Sequence, residues 1–192
     1  MRKWAFLVKL SVKGNNLSAM NRRFFIASSL SLGLLGVSGV TAWHMVPRNK
    51  DDLSLTALIK ELEALKVSEL NFDSNWSVGH KLAHLAQSVE YSMSGYPVHK
   101  SEMFKSTVGK AAFSAFSSKG YMKHNLEEDI PGAPSVDNVS AEQGQHRLLT
   151  ALQQFDRYRG ELAEHFAYGA LTHEQYALAH VLHVKDHFSL LV

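Results

Sequence analysis

No cysteine occurs among the 192 residues. That absence removes disulfides, thiolate zinc sites, iron–sulfur clusters and cysteine nucleophiles together. Any metal site must therefore use nitrogen and oxygen ligands. By itself, the lack of cysteine fits either a reducing or an oxidising compartment. Acidic residues are missing from positions 1–42, which carry Arg2, Lys3, Lys9, Lys13, Arg22 and Arg23. Removing those six cations leaves 14 Lys and Arg against 18 Asp and Glu, a net charge of −4 for the rest of the chain. The basic balance belongs to the leader, and no basic stripe remains that would follow a phosphate backbone, which argues against nucleic-acid binding. No segment alternates apolar and polar residues with a period of two, so strands are not expected. With 45% hydrophobic residues, the chain is expected to be globular and to form one domain.

Asn21-Arg22-Arg23-Phe24-Phe25-Ile26 is a twin-arginine pattern. An uncharged stretch, Ala27 to Ala42, follows and contains Gly33, Gly36 and Gly39; Val40-Thr41-Ala42 then offers a small-residue cleavage site before Trp43. Together these make residues 1–42 an N-terminal extension plus a signal peptide for the twin-arginine export machinery, which predicts a periplasmic protein. The alternative is a membrane anchor left uncleaved. Its apolar run of about 17 residues sits at the lower limit for a spanning helix. Residues 1–19 fit such a signal poorly, and Met20, directly before Asn21, is the better start. Export of folded proteins would allow metal loading beforehand in the cytoplasm, where availability can select the ion.

Residues 43–51 read as a linker and 52–192 as a helical domain. Leu55, Leu58, Ile59, Leu62 and Leu65 set a helical stripe over about 52–67, with Asp51 or Asp52 as cap. A second helix spans about 77–94. Its apolar stripe is Leu82, Leu85, Ala86, Val89 and Met93, and an opposed stripe carries His80, His84, Gln87 and Tyr91. A third helix, about 101–118, packs through Phe104, Val108, Ala111, Ala112 and Ala115 and stops at Gly120. Residues 121–139 form a long connection, either a lid or a plain crossover. Ser140-Ala141-Glu142-Gln143 is a capping box for a fourth helix, expected to continue through Leu162 and Phe166 to Gly169. Thr172-His173-Glu174-Gln175 opens the last helix in the same way. The fold class is all-α, read as a four-helix bundle with one additional helix and a long crossover loop.

The last helix carries His180, His183 and His187 within about a 60° arc, beside its core stripe of Ala177, Val181, Val184, Phe188 and Leu191. Five histidines brought together from two helices could not all be protonated without repulsion, and a divalent cation resolves that. His183 and His187, at i,i+4, can present two nitrogens to one ion, with a third from the second helix and water at an open position. No Glu follows His183 in the HExxH manner. Glu90 is at best an outer partner or a base. A polar stripe opposite an apolar one is also the ordinary pattern of a solvated face, and the His84 stripe admits that reading.

Several motifs fall in a familiar order. They are Trp76-Ser77-Val78-Gly79 leading to His84, Gln87 to Ser92, Gly95-Tyr96-Pro97, Pro131-Gly132-Ala133-Pro134 and His165 to Thr172, ahead of His183 and His187. Over about 52–192 the chain resembles the DinB-like superfamily of metal-binding four-helix bundles, within an uncharacterised domain-of-unknown-function branch. The resemblance implies an up-down bundle and the metal ligands His84, His183 and His187. His80 and His180, with Gln87 and Glu90, are left as cavity-lining or base candidates. Asp186, ahead of His187, departs from the branch's doubled histidine. The wider superfamily includes thiol-dependent transferases, a maleylpyruvate isomerase and metal-dependent hydrolases, and export argues against the thiol-dependent ones. The expected function is a metal-dependent enzyme of hydrolase or transferase type, using zinc, nickel or iron on a small-molecule substrate. The alternatives are a non-catalytic metal-carrying binding module and a helical interaction protein. The sequence leaves the oligomeric state open, a dimer included.

Overall fold

A computed structural model describes residues 53–191. The leader, with Met20, Arg22 and Arg23, lies outside the described residues, as do the whole linker, the cap candidates Asp51 and Asp52, and Val192. Among the described residues there are five helices and no strand. None of these helices is long and apolar enough to cross a membrane.

Helix α1 is Leu55–Ala64, shorter than the expected 52–67, and its cap is Ser54 rather than Asp51 or Asp52: the Ser54 Oγ accepts from the Ala57 amide at 3.1 Å. Leu55, Leu58 and Leu62 turn inward as their spacing requires. Helix α2 is Val78–Ser94, capped by Ser77 as expected. Helix α3 runs in three consecutive segments: an α-helical turn at Glu102–Phe104, a π-helical stretch at Lys105–Gly109 and α-helix at Lys110–Lys119. Gly120 ends it in the left-handed region at φ 69°, where a side chain would be strained. Helix α4 is Ala141–Arg157 and helix α5 is His173–His187, both opened by the capping boxes read from the sequence.

The largest helix–helix interface joins α2 and α4. Two glycines allow it. A Cβ on Gly144 would lie 2.8 Å from the Gly79 carbonyl oxygen and 2.8 Å from Leu82 Cβ; one on Gly79 would run into the backbone of Val139 and Ser140. Leu82, Leu85, Ala86 and Val89 meet Leu148, Ala151, Leu152 and Phe155 there, and Val181 and Val184 of α5, with Phe188 just beyond its end, complete the core. Each large apolar side chain so buried contributes roughly 1.5–3 kcal/mol.

Two further expectations need correction. The fourth helix does not reach Gly169. It stops at Arg157, and Leu162 and Phe166 belong to an irregular segment. Arg159 Nη1 donates to the Asp156 and Tyr158 carbonyls, and a Cβ on Gly160 would strike the Tyr158 ring at 2.5–2.6 Å. The amides beyond find partners elsewhere: Ala163 bonds to the Ser92 carbonyl at 3.0 Å, and His165 pairs with Gly169. Continued apolar spacing therefore did not mean continued helix. In α3 the π-helical stretch changes the register. Lys105, Gly109 and Phe113 face inward, while Phe104 and Val108 are exposed and Ala111 and Ala115 do not pack.

Candidate metal centre

Helix α2 is buried on both of its stripes, with Gly79 through Val89 all inside. One face meets α4. The other, with His80, His84 and Gln87, is covered by α5 and by the 121–139 connection, so the opposed polar stripe is not a solvated face. His84 and His187 are buried and His183 is partly buried. One ring nitrogen from each lies within 4.8 Å of the other two, a group that could hold a metal ion. His183 Nε2 and His187 Nε2 are 3.2 Å apart. Two imidazole nitrogens on a tetrahedral ion, each about 2.0–2.1 Å from it, would be about 3.3 Å apart. The spacing fits the i,i+4 geometry of the final turns of α5.

Burial pushes the His84 pKa down to about 3, and the nearby His124, His80 and Lys81 add to that by charge repulsion. His183 and His187 are held well below the usual histidine value, first by burial and then by the neighbouring imidazoles. At neutral pH all three are uncharged lone-pair donors, the state a metal needs. His84 Nδ1 and His187 Nδ1 are buried without a hydrogen-bond partner. Such atoms each cost about 1–3 kcal/mol; an ion held at His187 Nε2 leaves the cost at its Nδ1 in place. Trp76 walls the cluster, with its ring 4.2 Å from His80, 5.1 Å from His84 and 6.2 Å from His187. The fully buried Lys81 places its Nζ 5.3 Å from the Phe72 ring and 5.7 Å from Trp76.

The remaining candidates are placed differently. His80 Nδ1 is 3.1 Å from Asp137, and its Nε2 is 3.7 Å from Asp129. Gln87 donates to the Pro134 carbonyl at 3.1 Å. Both residues therefore fasten the connection onto α2. Glu90 is bound in bidentate fashion to Arg147 of α4 at 2.8 and 2.6 Å. His180 Nε2 lies 3.2 Å from Ser92 Oγ, whose own proton goes to the Val89 carbonyl.

The cluster opens on a cavity of about 260 Å³ whose lining includes His84, His183, His180, His165, Phe166 and Tyr168. His165 Nδ1 accepts from the Ala167 and Tyr168 amides at 3.1 and 3.2 Å, which places the ring proton on Nε2. Glu128 and Asp129 of the connection also line the cavity. So does His124, whose Nδ1 is 2.8 Å from Asp186 Oδ2 and whose ring is 4.9 Å from that of His183. Sequence periodicity could not find these three residues, because they lie in a segment without a period. The usable signal was the length of the connection itself.

Residues 47–192 match the family described as Protein of unknown function (DUF1569), and the chain belongs to it. No curated protein and no solved structure matches the chain.

Proposed function

We propose that this chain is an exported metal-dependent enzyme of hydrolase or transferase type, in which His84, His183 and His187 hold one divalent transition ion, zinc, nickel or iron, beside the small cavity. The observation that carries this reading is the convergence of three neutral imidazoles, each offering a ring nitrogen within 4.8 Å of the other two, with His183 Nε2 and His187 Nε2 3.2 Å apart. The cysteine-free composition agrees with an all-nitrogen site. The helical arrangement is read as a DinB-like four-helix bundle, on the motifs from Trp76 to His187. The twin-arginine pattern at Arg22-Arg23 supports export, with Met20 as the start.

When bound, the ion would supply Lewis-acid polarisation of a ligand oxygen. The chain's own residues would do the rest. His165 would present a neutral Nε2–H to an acceptor on the substrate. Glu128 and Asp129 are the carboxylates within the cavity that can take a proton. Glu90, engaged with Arg147, cannot serve as that base without giving up its ion pair. A cavity of about 260 Å³ suits a small molecule rather than a chain segment.

The test is metal analysis of the purified full chain. One divalent ion per chain is expected, lost in His183→Ala and in His187→Ala. Retention of a full equivalent by both variants would overturn the assignment. Cleavage after Ala42, and loss of export when Arg22 and Arg23 are both changed to Lys, would support the leader reading.

A further inference from the structure

The connection between α3 and α4 is pinned along its length. Glu127 accepts from Ser74 Oγ, Asn75 N and Asn75 Nδ2 at 2.8, 2.7 and 2.9 Å. His80 holds Asp137, and Gln87 holds the Pro134 carbonyl. The contact nearest the histidine cluster has a different character. Asp186, buried on α5 immediately before His187, accepts at its Oδ2 from the His124 amide at 3.2 Å and from His124 Nδ1 at 2.8 Å. A carboxylate taken out of water is costly unless hydrogen-bonded; both of these bonds go to a single loop residue.

That pairing fixes the His124 tautomer. With the proton on Nδ1 directed at the carboxylate, Nε2 carries a lone pair. A carboxylate or carbonyl behind a histidine is the usual outer support of a metal-bound imidazole. The His124 ring lies 4.9 Å from that of His183 and 5.2 Å from that of His187. The rings of His84, His183 and His187 are 5.3, 5.1 and 4.9 Å apart. His124 therefore stands beside His183 and His187, outside the group of three mutually close ring nitrogens, with 30% of its side chain exposed.

We propose that His124 is a fourth, loop-borne ligand for the ion held by His84, His183 and His187, oriented by Asp186, so that metal binding fastens residues 121–139 over the cavity. This rests on the three-histidine reading. Three of the four ligands would sit on helices and stay in place. The fourth sits on a connection and is the one an oxygen donor entering the cavity would displace. The metal would thereby couple occupancy of the cavity to closure of its roof.

The experiment uses the full chain and zinc alone. Zinc affinity is measured by chelator competition, and amide exchange of residues 121–139 is followed with and without zinc. In the wild type, exchange in 121–139 slows on zinc binding. His124→Ala binds zinc about 10–100-fold more weakly and loses that slowing; Asp186→Asn weakens binding by about 10-fold. Unchanged affinity in His124→Ala, with loop protection retained, overturns the proposal and leaves the three-histidine site standing. Zinc binding without any change of exchange in the wild-type loop also overturns it, and needs no variant. A wild type that takes up no zinc overturns both readings.

Discussion

Helix α5 carries two kinds of histidine, and the contrast between its two halves is instructive. In the first half, and in the segment before it, the imidazoles are paired with protein groups. His173 Nε2 meets the Phe155 carbonyl at 3.0 Å, His180 Nε2 meets Ser92, and His165 Nδ1 accepts two amides. In the last two turns, His187 Nε2 meets only another imidazole nitrogen, and Nδ1 of His187 and of His84 across from it have no partner. Burial does not separate His165 and His180 from His84, and neither does titration. His84, His165 and His180 are all pushed down to about 3, mainly by desolvation. The difference lies in whether the lone pairs are used. A buried histidine with its hydrogen bonds made is part of the core. A group of buried histidines with ring nitrogens this close together could hold a metal ion.

The largest effect that would test this contrast is on metal affinity. His183→Ala or His187→Ala should lower zinc affinity by at least about 100-fold, more than loss of an outer-shell partner does. His173→Ala should leave it unchanged. Isothermal titration of the metal-free protein separates these outcomes, and equal losses in all three variants would abolish the distinction.

Stability should move in the opposite sense. His180→Leu removes one buried hydrogen bond while Ser92 keeps its bond to the Val89 carbonyl, at a cost of about 0.5–1.5 kcal/mol. His187→Leu replaces a fully buried ring with an orphaned nitrogen by an apolar side chain, and should raise metal-free stability by about 1 kcal/mol. Urea unfolding in excess chelator checks both.

The pH dependence follows from the same shifts. The folded pKa of these histidines is depressed, so below about 6.5 the unfolded chain takes up protons that the folded chain refuses. The contribution is fully present above about pH 6.5 and is lost as pH falls from there towards about 3. Each such residue adds a slope of about 1.4 kcal/mol per pH unit within that window. Metal-free protein should therefore lose stability steeply between pH 6.5 and 4, and His187→Leu should flatten the slope by one residue's share. A flat profile would mean that the imidazoles are not buried as described.

The smallest effect lies far from either group. Ser140 Oγ accepts from the Gln143 amide, and Gln143 Oε1 accepts from the Ser140 amide, closing the capping box of α4. Ser140→Ala should cost about 1 kcal/mol in thermal unfolding and leave zinc affinity untouched.

Much of the fold was legible because local chemistry decides it. Ser77, Ser140 and Thr172 each announce a helix start and each caps one. The end of α4 was not legible. Leu162 and Phe166 keep the apolar spacing, but the amides around them are satisfied by Ser92 and Gly169, partners that spacing cannot reveal. In α3 the π-helical stretch turned the expected face outward for a similar reason. Of the candidate site, the pair on α5 was visible from its i,i+4 spacing. The direction of His84 was ambiguous, since an apolar and a polar stripe on opposite faces of α2 ordinarily mean one wet side. Here the connection and α5 cover that side. His124 was invisible, because a ligand candidate on an irregular segment has no period to betray it.

The most direct measurement is anomalous diffraction at the zinc edge from crystals of the full chain grown with zinc. The account predicts one strong peak at about 2.0–2.1 Å from a ring nitrogen of each of His84, His183 and His187. No peak among these three rings, with zinc found only at surface residues, would contradict it.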